Sequence, residues 1–377
     1  MRIAIDAMAL TGRDTGVGVW TRGLIGGLAA CGAGHEYLVY HGADAGPALP
    51  VGGGVRAVPV RVRNRLRPLR IAWEQAALPR RLRRDAAEVL HCPSYVVPLG
   101  ARLPIVLTLH DLLALTHPAY CTRRNVCHFG LMQGRSIRRA AAIHCTSQWT
   151  LETLRQEFGA AADRARVVHP CVDDLFGPDG PGPGDVRARW GLRQAPFLFV
   201  GRPEPKKGLP VLLRALARLR ERGRLRRKLL MVGPPGWGEG AVRRLEDGLE
   251  LGAHVVRAGY LPRGELPGVY RAARALVFPS LVEGFGLPPL EAMACGTPVV
   301  ATHAGGLRES VGEAGLIVPP GDPEALADAL ERLETSGSLR GRLRAAGLAR
   351  AARFRWREAV PRFLGLYEAA REAGPAV

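Results

Sequence analysis

The sequence predicts an α/β protein made of two Rossmann-like domains, each a parallel sheet covered by helices. Short apolar runs alternate with helical stretches along most of the chain, the rhythm of β–α–β units. A glycine-bearing turn follows the first strand of each half, at 11–18 and again at 201–208. Between the halves, 173–185 reads DDLFGPDGPGPGD, four Gly and three Pro in thirteen residues, a composition that interrupts regular structure and marks a domain boundary. At 377 residues the chain is long enough for two full cores.

In the first half, residues 2–9 read as the first strand. Thr11-Gly12-Arg13-Asp14-Thr15-Gly16-Val17-Gly18 follows, then a helix over 19–30, which puts glycines where such domains cradle anions. The G-x-G-x-x-G pattern fails at its third position, occupied by Thr21, so a dinucleotide site is not supported. Further strands are expected at 37–40, 55–60, 88–91, 105–109 and 142–145. His110 and Asp111 come directly after the strand at 105–109, on the side of a parallel sheet where ligands bind, so His110 is a candidate functional residue. His91 and His144 are assigned to structure, and Ser147 to the cap of the next helix.

The second half opens with 186–191 and a strand at 197–200. Gly201-Arg202-Pro203-Glu204-Pro205-Lys206-Lys207-Gly208 follows, then a helix over 209–222. No Gly-Lys-Ser/Thr occurs, so this is not a Walker A loop. The chain holds three Lys against fifty Arg, and two of the three stand together here. A compact ammonium where Arg is otherwise the rule points to a specific charge. Arg202 and Lys207 flank the kind of strand-to-helix turn that binds phosphate, while Lys206 is expected to face solvent. Strands at 229–232 and 254–258 end at Gly233 and at Gly259-Tyr260. The last strand is read at 315–318, followed by Asp322 as cap with Pro323 at the first helical position, and the tail from 354 to 369 is helical.

The richest stretch is 275–302, ALVFPSLVEGFGLPPLEAMACGTPVVAT. Two apolar runs bracket a glycine loop and a short helix started by Pro288 and Pro289 and stopped by Gly296. Glu283 sits in the loop and Glu291 is read into the first helical turn. Carboxylates accept hydrogen bonds from hydroxyls, and glycine backbone with a helix N-terminus suits oxygen-rich, anionic groups, so the pair fits a sugar or ribose carrying phosphate.

Glu283-Gly284-Phe285-Gly286-Leu287-Pro288-Pro289-Leu290-Glu291, with EAMACGTPVVAT from Glu291 to Thr302, resembles the E-x7-E motif of retaining family 4 glycosyltransferases. The resemblance implies a GT-B fold, two Rossmann-like domains whose parallel sheets face each other across a cleft. It implies residues 1–172 as the acceptor-binding domain, 173–184 as linker, 185–352 as the nucleotide-sugar domain, and 353–377 as a helix returning to the first domain. The implied activity is transfer of a hexose from a nucleotide diphosphate sugar to a hydroxyl of a carbohydrate, lipid-linked or small-molecule acceptor, with retention and without a metal. Glu283 would hold the hexose, Glu291 the ribose, and Arg202 and Lys207 the diphosphate. His110 would face the donor sugar. Gly16 and Gly18 match the family's paired glycines over the diphosphate, with Val19 where a basic residue is usual. Gly284, Phe285, Gly286, Leu287 and Pro288 would line the donor, and Gly233 and Tyr260 would lie beside the base. The stretch HDLLALTHP, residues 110–118, looks like that of mannosyltransferase relatives, which favours GDP-mannose over a UDP-hexose. A GT-B nucleotide-sugar epimerase and a non-catalytic nucleotide-sugar-binding protein are the alternatives.

Composition narrows the partners. A net charge of +19 attracts nucleic acid, anionic lipid or phosphorylated ligands, but the Arg excess accompanies abundant Ala, Gly and Pro and suits a GC-rich genome. No nucleic-acid motif appears, and no nucleic-acid partner is expected. Residues 61–84 hold nine Arg and one acid, Glu74, interspersed with Trp73 and Leu, which would suit peripheral contact with an anionic membrane. No apolar run approaches a membrane span, and MRIAIDAMAL lacks a signal-peptide core, so the protein is expected in the cytoplasm. Seven scattered Cys without CxxC suggest neither disulfides nor zinc.

Overall fold

The computed structural model describes residues 1–12, 15–46, 49–50, 52–180 and 183–376. Arg13 and Asp14 of the first glycine turn, and 181–182 of the Gly/Pro-rich stretch, fall outside the described residues. The chain divides into two units, one of 1–171 with 355–377 and one of 172–354.

Unit 1 is built on a seven-stranded sheet: β1 (Arg2–Asp6), β2 (Glu36–Gly42), β3 (Val55–Val60), β4 (Val89–Cys92), β5 (Ile105–Leu109), β6 (Ala142–Cys145) and β7 (Ala165–Val167). The order is β3-β2-β1-β4-β5-β6-β7 and every pairing is parallel. β1, β4, β5 and β6 are buried almost throughout, as parallel strands covered on both faces must be. β7 is three residues long and carries too little apolar pattern to be seen in sequence.

The tail helix Trp356–Ala373 lies on the first helix, Gly16–Cys31, within this unit. Glycine permits the approach: a Cβ on Gly23 would stand 2.5 Å from the Trp356 ring. Val360, Phe363 and Tyr367 are fully buried there. Each such side chain is worth roughly 1.5–3 kcal/mol of burial. A buried polar string adds register. His91 Nδ1 and the Tyr367 hydroxyl lie 2.8 Å apart, His91 Nε2 reaches Thr108 at 2.8 Å, and Thr108 reaches His144 Nδ1 at 3.1 Å. His91 and His144 are thus structural, and burial lowers the pKa of both, His144 to about 3.

Unit 2 has a six-stranded parallel sheet: β8 (Phe197–Val200), β9 (Leu229–Val232), β10 (Val255–Gly259), β11 (Ala275–Phe278), β12 (Val299–Thr302) and β13 (Leu316–Val318). Its order is β10-β9-β8-β11-β12-β13. One face is packed by the helices Leu209–Glu221 and Pro323–Thr335, the other by Leu266–Ala272 and Leu287–Ala294. The start of the Gly/Pro-rich stretch is anchored to this unit. The Val172 N–H donates to the Phe354 carbonyl at 2.9 Å, and Phe176 is buried against Tyr270.

Candidate functional site

In each unit the chain leaves a central strand, adds two strands on one side, then crosses to the other side. The carboxyl ends of the two strands flanking that crossing form the crevice where α/β proteins bind ligands. In unit 2 these strands are β8 and β11. Gly201 to Gly208 follows β8, and 279–286 follows β11, so topology alone brings the two most informative stretches of the sequence together.

Their side chains meet. Lys207 Nζ donates to Glu283 Oε2 in an ion pair with both side chains largely buried. The same ammonium lies over the Phe278 ring, 4.8 Å from its centroid. Ser280 donates to Glu283 at 3.5 Å. Burial by itself would raise the Glu283 carboxyl. The charges of Lys207 and Lys206, with the hydrogen bonds from Lys207 and Ser280, outweigh it, and the pKa lies below the ordinary value. Glu283 is therefore held ionised. Lys206 is half-buried and its charge bears on Glu283, a correction to the solvent-facing role expected for it. The backbones of the two loops are joined here, the Leu281 N–H donating to the Lys206 carbonyl at 2.7 Å. Arg202 is exposed and pairs with no carboxylate among the described residues.

Glycines let these loops touch. Gly208 has φ +66° and a Cβ there would overlap the Pro279 carbonyl. Gly286, at φ +92°, starts the helix Leu287–Ala294. Gly284, Phe285 and Gly286 lie in the loop between β11 and this helix, with Phe285 buried in the hydrophobic core of the unit. The helix mouth is poorer in donors than its position suggests. Pro288 and Pro289 carry no N–H, so of residues 287–289 only Leu287 can donate. Gly233 and Tyr260 sit at the carboxyl ends of β9 and β10, tied by a bond from Gly233 N–H to the Gly259 carbonyl at 2.8 Å.

Glu291 lies in the second helical turn, not the first, and is 3% exposed. Its Oε1 accepts from Arg263 at 2.8 Å and its Oε2 from the Tyr270 hydroxyl at 2.8 Å. Arg263 also binds Asp173 at 2.7 Å and stacks over Phe176. Glu291 and Asp173 hold the Arg263 guanidinium charged against burial, and burial with the Glu291 charge raises the Tyr270 phenol. Any ligand hydroxyl on Glu291 must use the lone pairs these bonds leave. Arg263 and Tyr270 carried no signal in sequence, because nothing local links them to a residue 20 or more positions away. Trp237 is an exposed aromatic of this unit. It is 50% exposed in the loop after β9, where Gly238 N–H bonds the Pro203 carbonyl at 3.0 Å.

Unit 1 holds the remaining candidates. The first helix starts earlier than expected, so Gly16 and Gly18 lie in its first turn. Thr15 caps it, accepting from Gly18 N–H at 3.1 Å. That bond uses the Gly18 donor, while Gly16 has open space before it. His110 donates from Nε2 to the Pro93 carbonyl at 2.9 Å, which fixes the tautomer and makes Nδ1 an acceptor. Trp20 meets the imidazole edge-on at 5.1 Å, and burial lowers its pKa, so it is neutral. Among the described residues no group of three or more His, Cys, Asp or Glu is placed to hold a metal, and all seven cysteines are free thiols.

Comparison with known proteins decides the family. The profile of glycosyl transferases group 1 matches residues 187–350 and that of Glycosyltransferase Family 4 matches 15–176. The O-antigen chain mannosyltransferase B of Escherichia coli is 30% identical over 366 residues, 94% of this chain and 96% of that protein. The chain belongs to the group 1, family 4 glycosyltransferases. A D-inositol 3-phosphate glycosyltransferase of Catenulispora acidiphila is 34% identical to this glycosyltransferase, over 80% of this chain and 79% of the relative. Among solved structures, sucrose-phosphate synthase from Thermosynechococcus elongatus superposes with a TM-score of 0.79 at 24% identity, covering 99% of this chain and all of that one. Anabaena HepE, solved with UDP and glucose, gives 0.76 at 20% identity, covering 98% and 100%. These likenesses give the glycosyltransferase the GT-B fold.

Proposed function

We propose that the enzyme moves a hexose from a nucleotide diphosphate sugar to a hydroxyl acceptor with retention, without a metal, and with GDP-mannose favoured over a UDP-hexose. The observation that carries the reading is the ionised Glu283 paired with Lys207 at the β8/β11 crevice, with Arg202 exposed in the segment that follows β8. Departure of the sugar builds negative charge on the diphosphate and positive charge on the ring. Fixed cations stabilise the first, and Lys207 and Arg202 take that task in place of a metal. Glu283 holds the hexose hydroxyls and faces the oxocarbenium-like ring. Glu291, oriented by Arg263 and Tyr270, receives a ribose hydroxyl, with Gly233 and Tyr260 beside the base. In unit 1, neutral His110 offers an acceptor nitrogen to a sugar hydroxyl, and Gly16 offers its N–H to phosphate.

The relatives' printed names support a carbohydrate or phosphorylated polyol as acceptor. A lipid-linked acceptor reached by contact with the inner, anionic face of a membrane is supported by Leu66 and Leu69, exposed at 47% and 58% among the arginines of 61–70. No helix among the described residues is long and apolar enough to cross a membrane. A thermal-shift screen of GDP-mannose, UDP-glucose, UDP-galactose and ADP-glucose tests the donor, since a ligand at a hundred times its Kd stabilises by about 2.7 kcal/mol. Transfer from the stabilising donor, followed by NMR of the anomeric proton and repeated in EDTA, tests the rest. An inverted product, or activity lost in EDTA and restored by Mn²⁺, overturns the mechanism.

A further inference from the structure

The strand β3 is the outer edge of the unit 1 sheet. Beside it runs a continuous helical segment, Arg67–Ala72 and Leu78–Arg84 joined by a π-helical turn, Trp73–Ala77. Such widened turns concentrate at functional places. Between edge strand and helix lies an open cleft of about 530 Å³. Small-molecule sites are typically ~300–1,000 Å³.

Its walls are cationic and aromatic. Arg61, just past the end of β3, lines the strand side, and Arg80, Arg81 and Arg84 line the helix side, with Trp73 and Tyr40 also in the lining. The two rings lie 6.3 Å apart. Arg81 is paired with Asp85 at 2.7 Å, which also accepts from the Tyr40 hydroxyl at 2.8 Å. Arg80 donates only to the Ala76 carbonyl, at 2.9 Å. Arg61, Arg80 and Arg84 have no carboxylate partner among the described residues. Some arginines of unit 2 do meet carboxylates: Arg222 meets Glu324, Asp328 and Glu331, and Arg227 meets Glu334. Here Arg81 alone of the four has a carboxylate among the described residues, and Arg61, Arg80 and Arg84 are exposed.

The geometry points to a binding site for a phosphate-bearing ligand in this cleft. Guanidinium forks match phosphate oxygens in pairs, and the indole face beside them accommodates the group the phosphate is attached to. The phosphate is either that of a dissolved ester or that of a lipid headgroup. In giving the cleft a part in acceptor capture, the inference rests on the glycosyl-transfer reading; binding itself does not.

The test is calorimetry with inorganic diphosphate on the full chain carrying Lys207→Ala, so that the β8/β11 crevice does not mask the signal. Adding Arg80→Ser/Arg84→Ser should weaken diphosphate binding at least tenfold with an unshifted melting temperature, and Arg61→Ser on the opposite wall should weaken it in the same direction. In a parallel arm the otherwise unaltered chain is floated with phosphatidylglycerol vesicles at low salt. Flotation lost in the Arg80→Ser/Arg84→Ser variant but kept in Leu66→Ser/Leu69→Ser assigns the site to a lipid headgroup. Flotation unchanged with diphosphate binding lost assigns it to a dissolved ester. Equal diphosphate affinity and equal flotation with and without the arginines overturn the inference. Failure of the transfer reading would show instead as absence of sugar transfer, which neither arm measures.

Discussion

Unit 1 and unit 2 wind alike, with a central strand, two strands added outward, then a crossing to the far side. Each crossing places a carboxylate near the ends of its strands, but the two are charged differently. In unit 2, Glu283 is buried beside Lys207, with Lys206 near, and its pKa is lowered. In unit 1, Asp6 ends β1 and lies near Glu74 of the π-helical turn. Burial dominates both and the charge of Asp6 lifts Glu74 further, so Asp6 rises to about 6 and Glu74 to about 8. Arg70, 3.6 Å from Glu74, and Arg67 oppose the rise without cancelling it. The same topology thus builds an ionised site where two lysines outweigh burial, and a raised pair where burial wins and Glu74 keeps its proton at neutral pH. Fold places the carboxylate, and the adjacent cation decides what it can do.

The comparison breaks most sharply at Lys207. Lys207→Ala should cut turnover by about 100- to 1,000-fold, the scale of losing one group that stabilises developing charge, and should raise the pKa of Glu283. Initial rates against pH read both, and near-normal turnover would remove Lys207 from the chemistry. Next in size is Arg263. Arg263→Ala leaves the buried Glu291 and the partly exposed Asp173 without their cation, a loss of about 3 kcal/mol in a urea titration. Glu291→Gln, which keeps the hydrogen bond to Tyr270, should instead act on nucleotide affinity. Unchanged nucleotide binding by calorimetry counts against its ribose role.

Unit 1 gives the pH-dependent term. Both carboxyls are raised in the folded state, so their contribution is complete below the ordinary values of 3.8 and 4.5 and is lost as pH climbs through about 6 and about 8. Glu74→Gln should flatten the fall in melting temperature between pH 5 and 8.5, and a slope equal to that of the unaltered chain contradicts the raised pair. Smallest is the cap on the first helix: Thr15→Ala should cost about 1 kcal/mol, seen as a lower midpoint in urea.

Much of this was written in local sequence. The β–α rhythm, the glycine turns, the lysine pair and the Glu283–Glu291 spacing are read within windows of ten residues, because strand burial and helix capping act at that range. Pro288 and Pro289 were equally visible, and their missing N–H groups already limited the helix mouth to Leu287. Tertiary structure decided the partnerships. Lys207 and Glu283 are 76 positions apart and meet only because β8 and β11 are neighbours. Tyr270 reaches Glu291 from the helix Leu266–Ala272 and Arg263 from the turn before it. The charge state of Glu283, the raised pair of Asp6 and Glu74, and the arginines of the cleft beside β3 that lack a carboxylate among the described residues follow from burial and distance, and a linear sequence contains neither.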